Sequence, residues 1–272
     1  MVTVYFKPHP ALLDYVEVIC IMQDAFETDD LLSPIYTYMP THTRFLCFYL
    51  EDPVKVKKED GEFEERARAI IIGTQLLPVT LDLGKKHTAV IVILKPCGLY
   101  RLLGIPQHEI VDCDFEASLL LGNDINELTE RLWSKHEEKN TTIQNYLLSR
   151  LTKLKAALPI DKAILPLVRA QGNLSMDFLA SQSCLSLRQM ERLSLPRIGL
   201  SPKFYARIVR FSEAYKYKER YPHSSWTEIA HGFGYYDQMH FIREFKCFTG
   251  FNPGILKEGD ILKSVGFNSL DP

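Results

Sequence analysis

The stretch HGFGYYDQMHFIREFKCFTGFNP, from His231 to Pro253, decides how the carboxy-terminal part of this chain folds. A helix leads into it, because Ser225 is followed three residues later by Glu228, which is the spacing of a capping box. Gly234 is suited to end that helix, since glycine adopts the left-handed conformation without steric cost. The sequence therefore predicts a helix that ends in a tight turn.

A second helix follows the turn. Asp237 is suited to cap it, and Phe241 and Phe245, four residues apart, predict its buried face. A helix, a tight turn and a helix with a basic outer face are typical of a helix-turn-helix, whose second helix enters the major groove of DNA. The outer residues expected to contact DNA are Gln238, Met239, His240, Ile242, Arg243 and Lys246.

A weaker unit of the same kind lies upstream. Ser175 can cap the helix MDFLASQS, Cys184 lies at the turn, and LSLRQMERLSL supplies the second helix. No helix breaker lies between Pro202 and Pro222, so this segment is predicted to form one long helix that joins the two units. The residues of the first unit expected to contact DNA are Arg188, Gln189, Glu191 and Arg192.

The charge distribution also favours DNA as the partner of this region. The formal net charge of the 272-residue chain is −2, but residues 1–159 carry 17 Lys and Arg against 23 Asp and Glu. Residues 160–258 carry 14 Lys and Arg against 9 Asp and Glu. A basic excess confined to one third of a chain indicates a polyanion-binding module attached to something else.

The amino-terminal part has a different residue pattern, which is typical of strands. Short apolar runs such as AVIVIL at Ala89–Leu94 are bounded by glycine, proline and charge up to about Asp114. They predict a β-rich, barrel-like domain over residues 1–115, with an antiparallel sandwich as the alternative. We therefore expect an α+β protein. The β-rich domain, with helices, precedes an all-α domain over residues 159–258. In that domain a long helix joins the two helix-turn-helix units, and a tail over residues 259–272 follows it.

Residues 116–158 are predicted to form a helical linker between these parts. Two explanations fit its apolar residues, because consecutive amphipathic helices are usually core but can also form the contact of a homodimer. The apolar residues at helical spacing are Ile125, Leu128, Leu132 and Trp133 in the first helix, and Ile143, Tyr146, Leu147, Leu151 and Leu154 in the second.

Several classes of protein are not indicated by the sequence. No apolar run approaches the ~18 residues that span a bilayer, and the start has no secretory pattern, so we expect no membrane partner. The six cysteines match no metal or redox spacing, which favours reduced thiols in a cytoplasm. The eight histidines are scattered and no phosphate-binding loop is present. We expect no cofactor, no metal and no enzymatic activity.

The carboxy-terminal pattern is longer and more specific than a single helix-turn-helix. It comprises GLSPKFYARIVRF at Gly199–Phe211 and an ordered set of residues in the second unit: Ile229, Ala230, Gly234, Tyr235, Gln238, His240, Phe241, Arg243, Phe245, Lys246, Gly250 and Pro253. In these residues, from about Leu174 to Leu256, the chain resembles the DNA-binding domain of the AraC/XylS family of transcription regulators. The resemblance implies double-stranded DNA as a partner and makes RNA polymerase a possible one.

The chain departs from the family pattern in three places. Ser194 stands where the family carries a core aromatic residue, and Pro196 is expected to interrupt the end of the helix in the first unit. Met239 stands where small or polar residues are common. Whether the first unit reads bases therefore stays open.

The amino-terminal segments YFKPHPALLDYVE and KPCGLYRLLGIP are similar to the sensing domain of some bacterial regulators of this family. The resemblance implies a β-rich effector or oligomerisation domain. A barrel interior is the default place for a small ligand. Tyr36 and Tyr38 share one face of a predicted strand, and Arg44 is the candidate cation for an acidic ligand. The alternative is that these are ordinary strand residues.

Two further functions are kept open. In the first, the chain is a DNA-binding regulator whose amino-terminal domain only dimerises. In the second, it resembles DNA-repair proteins that pair a catalytic cysteine in a PCHR motif with an AraC-type domain. The nearest match is Lys95-Pro96-Cys97-Gly98, which lacks the histidine and arginine after the cysteine.

Overall fold

A computed structural model describes residues 2–26, 33–59 and 61–256, so the predicted tail over residues 259–272 lies outside the described residues. The predicted fold class is confirmed, because a β-rich part is followed by an all-helical part. The strands are β1 (Val2–Phe6), β2 (Val16–Ala25), β3 (Ile35–Tyr38), β4 (Arg44–Tyr49), β5 (Lys55–Lys58), β6 (Glu64–Glu65), β7 (Ala69–Ile72), β8 (Val79–Asp82), β9 (Lys86–Leu94) and β10 (Asp114–Glu116).

The larger sheet has six antiparallel strands in the order β1-β2-β9-β4-β7-β10. Its central strands β4 and β9 are covered on both faces, which explains why they read as continuous apolar runs and not as alternating ones. The strand pairing places Leu46 opposite Val92 and Phe48 opposite Val90. This sheet is the scaffold on which the other layers pack.

The smaller sheet has four strands in the order β3-β8-β5-β6 and packs on one face of the larger sheet. The layer between the sheets contains Tyr36, Tyr38, Phe45, Cys47 and Tyr49. In the described part of the chain the strands fall into two separate sheets, so the predicted barrel does not close. The architecture is a sandwich, because short edge strands end each sheet without pairing across the gap.

Three helices cover the other face of the larger sheet: α1 (Ala117–Leu121), α2 (Asp124–Trp133) and α3 (Lys139–Arg150). The predicted apolar residues that are buried there are Ile125, Leu128, Leu132, Ile143 and Leu147, while Tyr146, Leu151 and Leu154 pack partly buried against the same core. The core explanation of these residues therefore fits the structure, and the homodimer contact stays a prediction. Trp133 was expected to join these residues and does not. It is 44% exposed, and the guanidinium of Arg68 stacks 3.6 Å from the centre of its ring.

The remaining helices form the all-α part around one aromatic-rich core. The prediction that Pro196 interrupts the end of its helix is wrong, because the helix continues to Ile198. A proline in the last turn removes one backbone hydrogen bond, and the helix ends at Gly199, whose φ is 81°. The helices are α4 (Pro159–Arg169), α5 (Met176–Gln182), α6 (Leu187–Ile198), α7 (Pro202–Arg220), α8 (Trp226–Gly232) and α9 (Gln238–Thr249). No described helix is both long and apolar enough to cross a membrane.

The packing of α3 on the sheet leads to a stability prediction. Leu147 is fully buried, so Leu147→Ala should lower the free energy of unfolding by about 2–5 kcal/mol, because it leaves a cavity between helix and sheet. Leu119 is 75% exposed, and Leu119→Ala should change that free energy by less than about 0.5 kcal/mol. Urea unfolding followed by circular dichroism measures both, and equal effects would contradict the assigned packing.

Candidate nucleic-acid interface

The second helix-turn-helix unit consists of α8 and α9, and its caps form as the sequence predicts. Ser225 Oγ accepts from the amide of Glu228 at 3.2 Å, and the Glu228 carboxylate accepts from the amide of Ser225 at 2.8 Å. Gly234 has a φ of 72° in the turn. Asp237 Oδ1 accepts from the amide of His240 at 2.6 Å. The Ser225 box fixes where α8 begins, and Asp237 fixes where α9 begins.

The inner face of α9 is aromatic. Phe241, Phe245 and Phe248 are buried, and Trp226 of α8 stacks on Phe241 with the ring centres 5.5 Å apart. Such aromatic pairs hold the two helices at a fixed angle. The opposite face is the one expected to contact DNA. Of its residues, Gln238, Met239, Arg243 and Lys246 are exposed, whereas His240 and Ile242 are half-buried.

His240 supports the turn and the recognition helix through contacts of its ring. Its Nδ1 accepts from the amide of Tyr236 at 3.4 Å, and its Nε2 lies 3.6 Å from Oε2 of Glu244. The Glu244 carboxylate is buried and also lies 3.4 Å from Nε of Arg207 in α7. The imidazole therefore joins the turn, α9 and α7, and a DNA contact by His240 stays a prediction.

The first unit consists of α5 and α6, with Ser175 capping α5. Cys184 occupies the turn with a φ of 51°, which is costly for a residue other than glycine. The amide of Ser186 donates to Oε1 of Gln189 at 2.9 Å, so the Gln189 side chain belongs to the helix cap. The other residues expected to contact DNA, Arg188, Glu191 and Arg192, are exposed.

The structure does not bring the predicted effector residues together. Side chains alternate along β4, so Phe45 and Cys47 face the smaller sheet with Tyr36 and Tyr38, while Arg44 points to the other side. Tyr38 lines a small apolar cavity of about 50 Å3 between the sheets, and Arg44 is not among its lining residues.

Arg44 instead lies in the contact between the two parts of the chain and is 1% exposed. Its Nε donates to Oε1 of Gln107 at 2.7 Å, and its Nη1 to the carbonyl of His42 at 2.9 Å and to the hydroxyl of Tyr205 at 3.4 Å. Its Nη2 donates to the carbonyl of Ile198 at 2.8 Å. A buried cation is tolerated when it is fully hydrogen-bonded, and this one lies at the negative end of α6.

His42 joins the same contact. Its Nδ1 lies 2.8 Å from Oγ of Ser212 in α7, and its ring meets the Tyr205 ring edge-on at 6.1 Å. Burial lowers the pKa of His42 well below its ordinary value of 6.5, and the nearby charges of Lys216 and Arg44 lower it further. The imidazole is therefore neutral at neutral pH.

A cavity of about 220 Å3 opens beside Arg44 between the amino-terminal domain and the helices. Lys95 lies 3.8 Å from Glu17, and Lys216 lies 3.1 Å from Glu213. Among the residues that the structure describes, no carboxylate lies within ion-pair distance of Arg44 or Arg169. The side chains that line this cavity and carry charge are Glu17, Arg44, Lys95, Arg169, Glu213 and Lys216. The cleft therefore has an excess of positive charge.

Cys97 does not have the environment of a catalytic nucleophile. It is 7% exposed, and burial, with a smaller contribution from the charge of Asp161, raises the pKa of its thiol to about 12. The thiol is protonated at neutral pH, which disfavours the DNA-repair alternative. Within residues 2–26, 33–59 and 61–256, no group of three or more His, Cys, Asp or Glu side chains could hold a metal ion.

Comparison with known proteins agrees with this geometry. The profile of a family described as a helix-turn-helix domain matches residues 179–258. Residues 179–258 are a helix-turn-helix domain of the AraC type. No curated protein sequence matches the chain.

Among solved structures, this chain is similar to ToxT from Vibrio cholerae O395, with 12% sequence identity and a TM-score of 0.47. The match covers 91% of this chain and 98% of the ToxT chain. A 1.65 Å structure of ToxT from Vibrio cholerae has 13% identity and a TM-score of 0.46, over 91% of this chain and 98% of that one. Wild-type ToxT from Vibrio cholerae strain SCE256, bound to an unsaturated fatty acid, has 12% identity and a TM-score of 0.45, and the match covers 86% of this chain and 92% of that one.

The buried histidines lead to a prediction about pH. Burial lowers the pKa of His87 to about 4 and that of His42 well below 6.5, so below about pH 6.5 the unfolded chain binds protons that the folded chain does not. The free energy of unfolding should therefore fall as the pH is lowered from 6.5 towards 4, by about 1.4 kcal/mol per pH unit for each such histidine.

His42→Asn keeps a hydrogen-bonding group beside Ser212 and removes one of these titrations. Between pH 6 and pH 5 it should make the loss of stability shallower by about 1 kcal/mol. Urea unfolding at the two pH values measures the difference. An unchanged slope would mean that His42 is protonated in the folded protein.

Proposed function

We propose that the chain is a transcription regulator that reads duplex DNA with two recognition helices, α6 and α9, in successive major grooves. The observation that carries the proposal is the outer face of α9, where Gln238, Arg243 and Lys246 are exposed while the opposite face is packed with aromatic rings. Arginine and glutamine side chains on such a face reach base edges, and lysine reaches phosphates. The long helix α7 fixes the separation of the two units.

We further propose that the regulator works in the cytoplasm and is controlled by a small anion bound in the cleft beside Arg44. A volume of about 220 Å3 supports this, since an engineered cavity of about 150 Å3 holds benzene. The excess of cations selects a carboxylate or phosphate. Because the cleft lies between the two parts of the chain, an anion there would bridge them.

The first functional prediction concerns base reading by α9. Arg243→Ala should cost about 1–3 kcal/mol of binding free energy at a selected DNA site and relax the preference for one base, since a bidentate contact to a base edge is lost. Titration of labelled duplexes, selected from a random library by the full chain, measures both effects. Arg131→Ala, in the amino-terminal part, is the matched control. An equal loss on random DNA would make Arg243 a phosphate contact.

The second functional prediction concerns the cleft. Small carboxylates and phosphates of increasing size, tested on the full chain by thermal shift, should include compounds that raise the melting temperature, because a ligand that binds only the folded state stabilises it. Arg169→Gln should abolish that shift, whereas Arg131→Gln should leave it intact. If no anion shifts the melting temperature and sedimentation shows a stable dimer, the amino-terminal domain only dimerises.

A further inference from the structure

The two recognition helices match in length and in the way they end. Each has 12 residues, and each ends at a glycine with a φ of 81°, Gly199 for α6 and Gly250 for α9. The residues that follow also correspond, since Gly199 is followed by Leu-Ser-Pro and Gly250 by Phe-Asn-Pro. The two helices can therefore be compared position by position.

Their inner faces differ. Phe245 and Phe248 of α9 pack against Phe211 of α7, with ring centres 5.5 and 5.0 Å apart. The matching positions of α6 hold Ser194 and Arg197, which are just as buried. Ser194 does not replace the apolar packing of a phenylalanine ring, because its side chain is small and its hydroxyl donates to the carbonyl of Glu191 at 2.8 Å. The first unit therefore lacks two aromatic rings that the second unit supplies for itself.

In place of these aromatic rings, residues outside the first unit contact α6 and hold it. Arg197 Nη1 pairs with Oδ1 of Asp161 in α4 at 2.8 Å, and its guanidinium lies 4.9 Å from the centre of the Tyr100 ring. One residue further on, the carbonyl of Ile198 accepts from Arg44. Tyr100 and Arg44 both belong to the amino-terminal domain. The inner face and the end of α6 are thus held partly by that domain.

The glycines show the same asymmetry. A Cβ at Gly199 would lie 2.9 Å from the carbonyl oxygen of Gln107 and 2.6 Å from Cγ2 of Val111. A Cβ at Gly250 would meet no described atom within 4 Å. The backbone conformation is the same at both positions, but only the end of α6 lies directly against the amino-terminal domain.

From these contacts we infer that the amino-terminal domain completes the first helix-turn-helix unit, with Arg44, Tyr100 and Gln107 as positioning residues for α6. The second unit carries its own core and does not depend on that domain. The inference rests on the proposed function, since it assigns DNA reading to both units. Base reading by α6 is therefore conditional on the contact between the domains, whereas base reading by α9 is not.

The glycine pair provides the test. Gly199→Ala and Gly250→Ala place a Cβ at the same positive φ and so carry the same backbone strain, but only the first meets Gln107 and Val111. Footprints are measured on a duplex selected from a random library by the full chain. Arg188→Ala combined with Arg192→Ala identifies the segment protected by α6, and Arg243→Ala identifies the one protected by α9.

Gly199→Ala should lose protection of the α6 segment, with affinity lowered about tenfold, and keep the α9 segment. Gly250→Ala should keep the α6 segment. Arg44→Met should act like Gly199→Ala, and circular dichroism establishes which variants are folded, so that either one can decide the outcome if the other does not fold.

Two results would overturn the inference: folded Gly199→Ala or Arg44→Met protein that protects both segments as the parent does, or Gly250→Ala losing the α6 segment to the same extent. A parent chain that protects no DNA at all would instead refute the proposed function. The two failures are therefore distinguishable.

Discussion

The guanidinium of Arg44 is the interaction on which the relation between the two parts of the molecule depends. It is buried with no described carboxylate within ion-pair distance, so its charge is stabilised by hydrogen bonds to a glutamine, a tyrosine and two backbone carbonyls. Removing a buried cation from such a set leaves several acceptors unsatisfied, which is costly. Because one of those carbonyls ends α6, the contact couples a strand of the sandwich to a helix expected to lie on DNA.

The two helix-turn-helix units represent two ways of building the same motif. The second is held by aromatic rings from α7, α8 and α9, which exclude water and tolerate little movement. The first has polar residues at the equivalent positions, and hydrogen bonds and an ion pair from neighbouring elements take over. Polar contacts depend more steeply on geometry than apolar burial does. A small displacement between the domains would therefore affect the first unit more than the second.

Much of this architecture could be predicted from sequence because local signals decide it. The caps at Ser225 and Asp237, the glycine turn and the uninterrupted segment of α7 depend on residues close to one another in the chain. Contacts between distant elements could not be predicted. Alternation along β4 shows that Arg44 and Phe45 point in opposite directions, but it does not show that Arg44 donates a hydrogen bond to a carbonyl of α6. Similarly, helical spacing places Trp133 on the apolar side of α2, and only the packed structure shows that it lies at the rim under Arg68.

The position of Trp133 has a spectroscopic consequence. The chain has two tryptophans, one in each part of the molecule. The indole of Trp133 is partly in water beneath a guanidinium, whereas that of Trp226 is half-buried among phenylalanines, with Nζ of Lys218 5.1 Å from the centre of its ring. Their fluorescence should differ in wavelength and in accessibility to quenchers. With either tryptophan replaced by phenylalanine, the other reports on its own domain, so melting of the sandwich and melting of the DNA-binding helices can be followed separately in the intact chain.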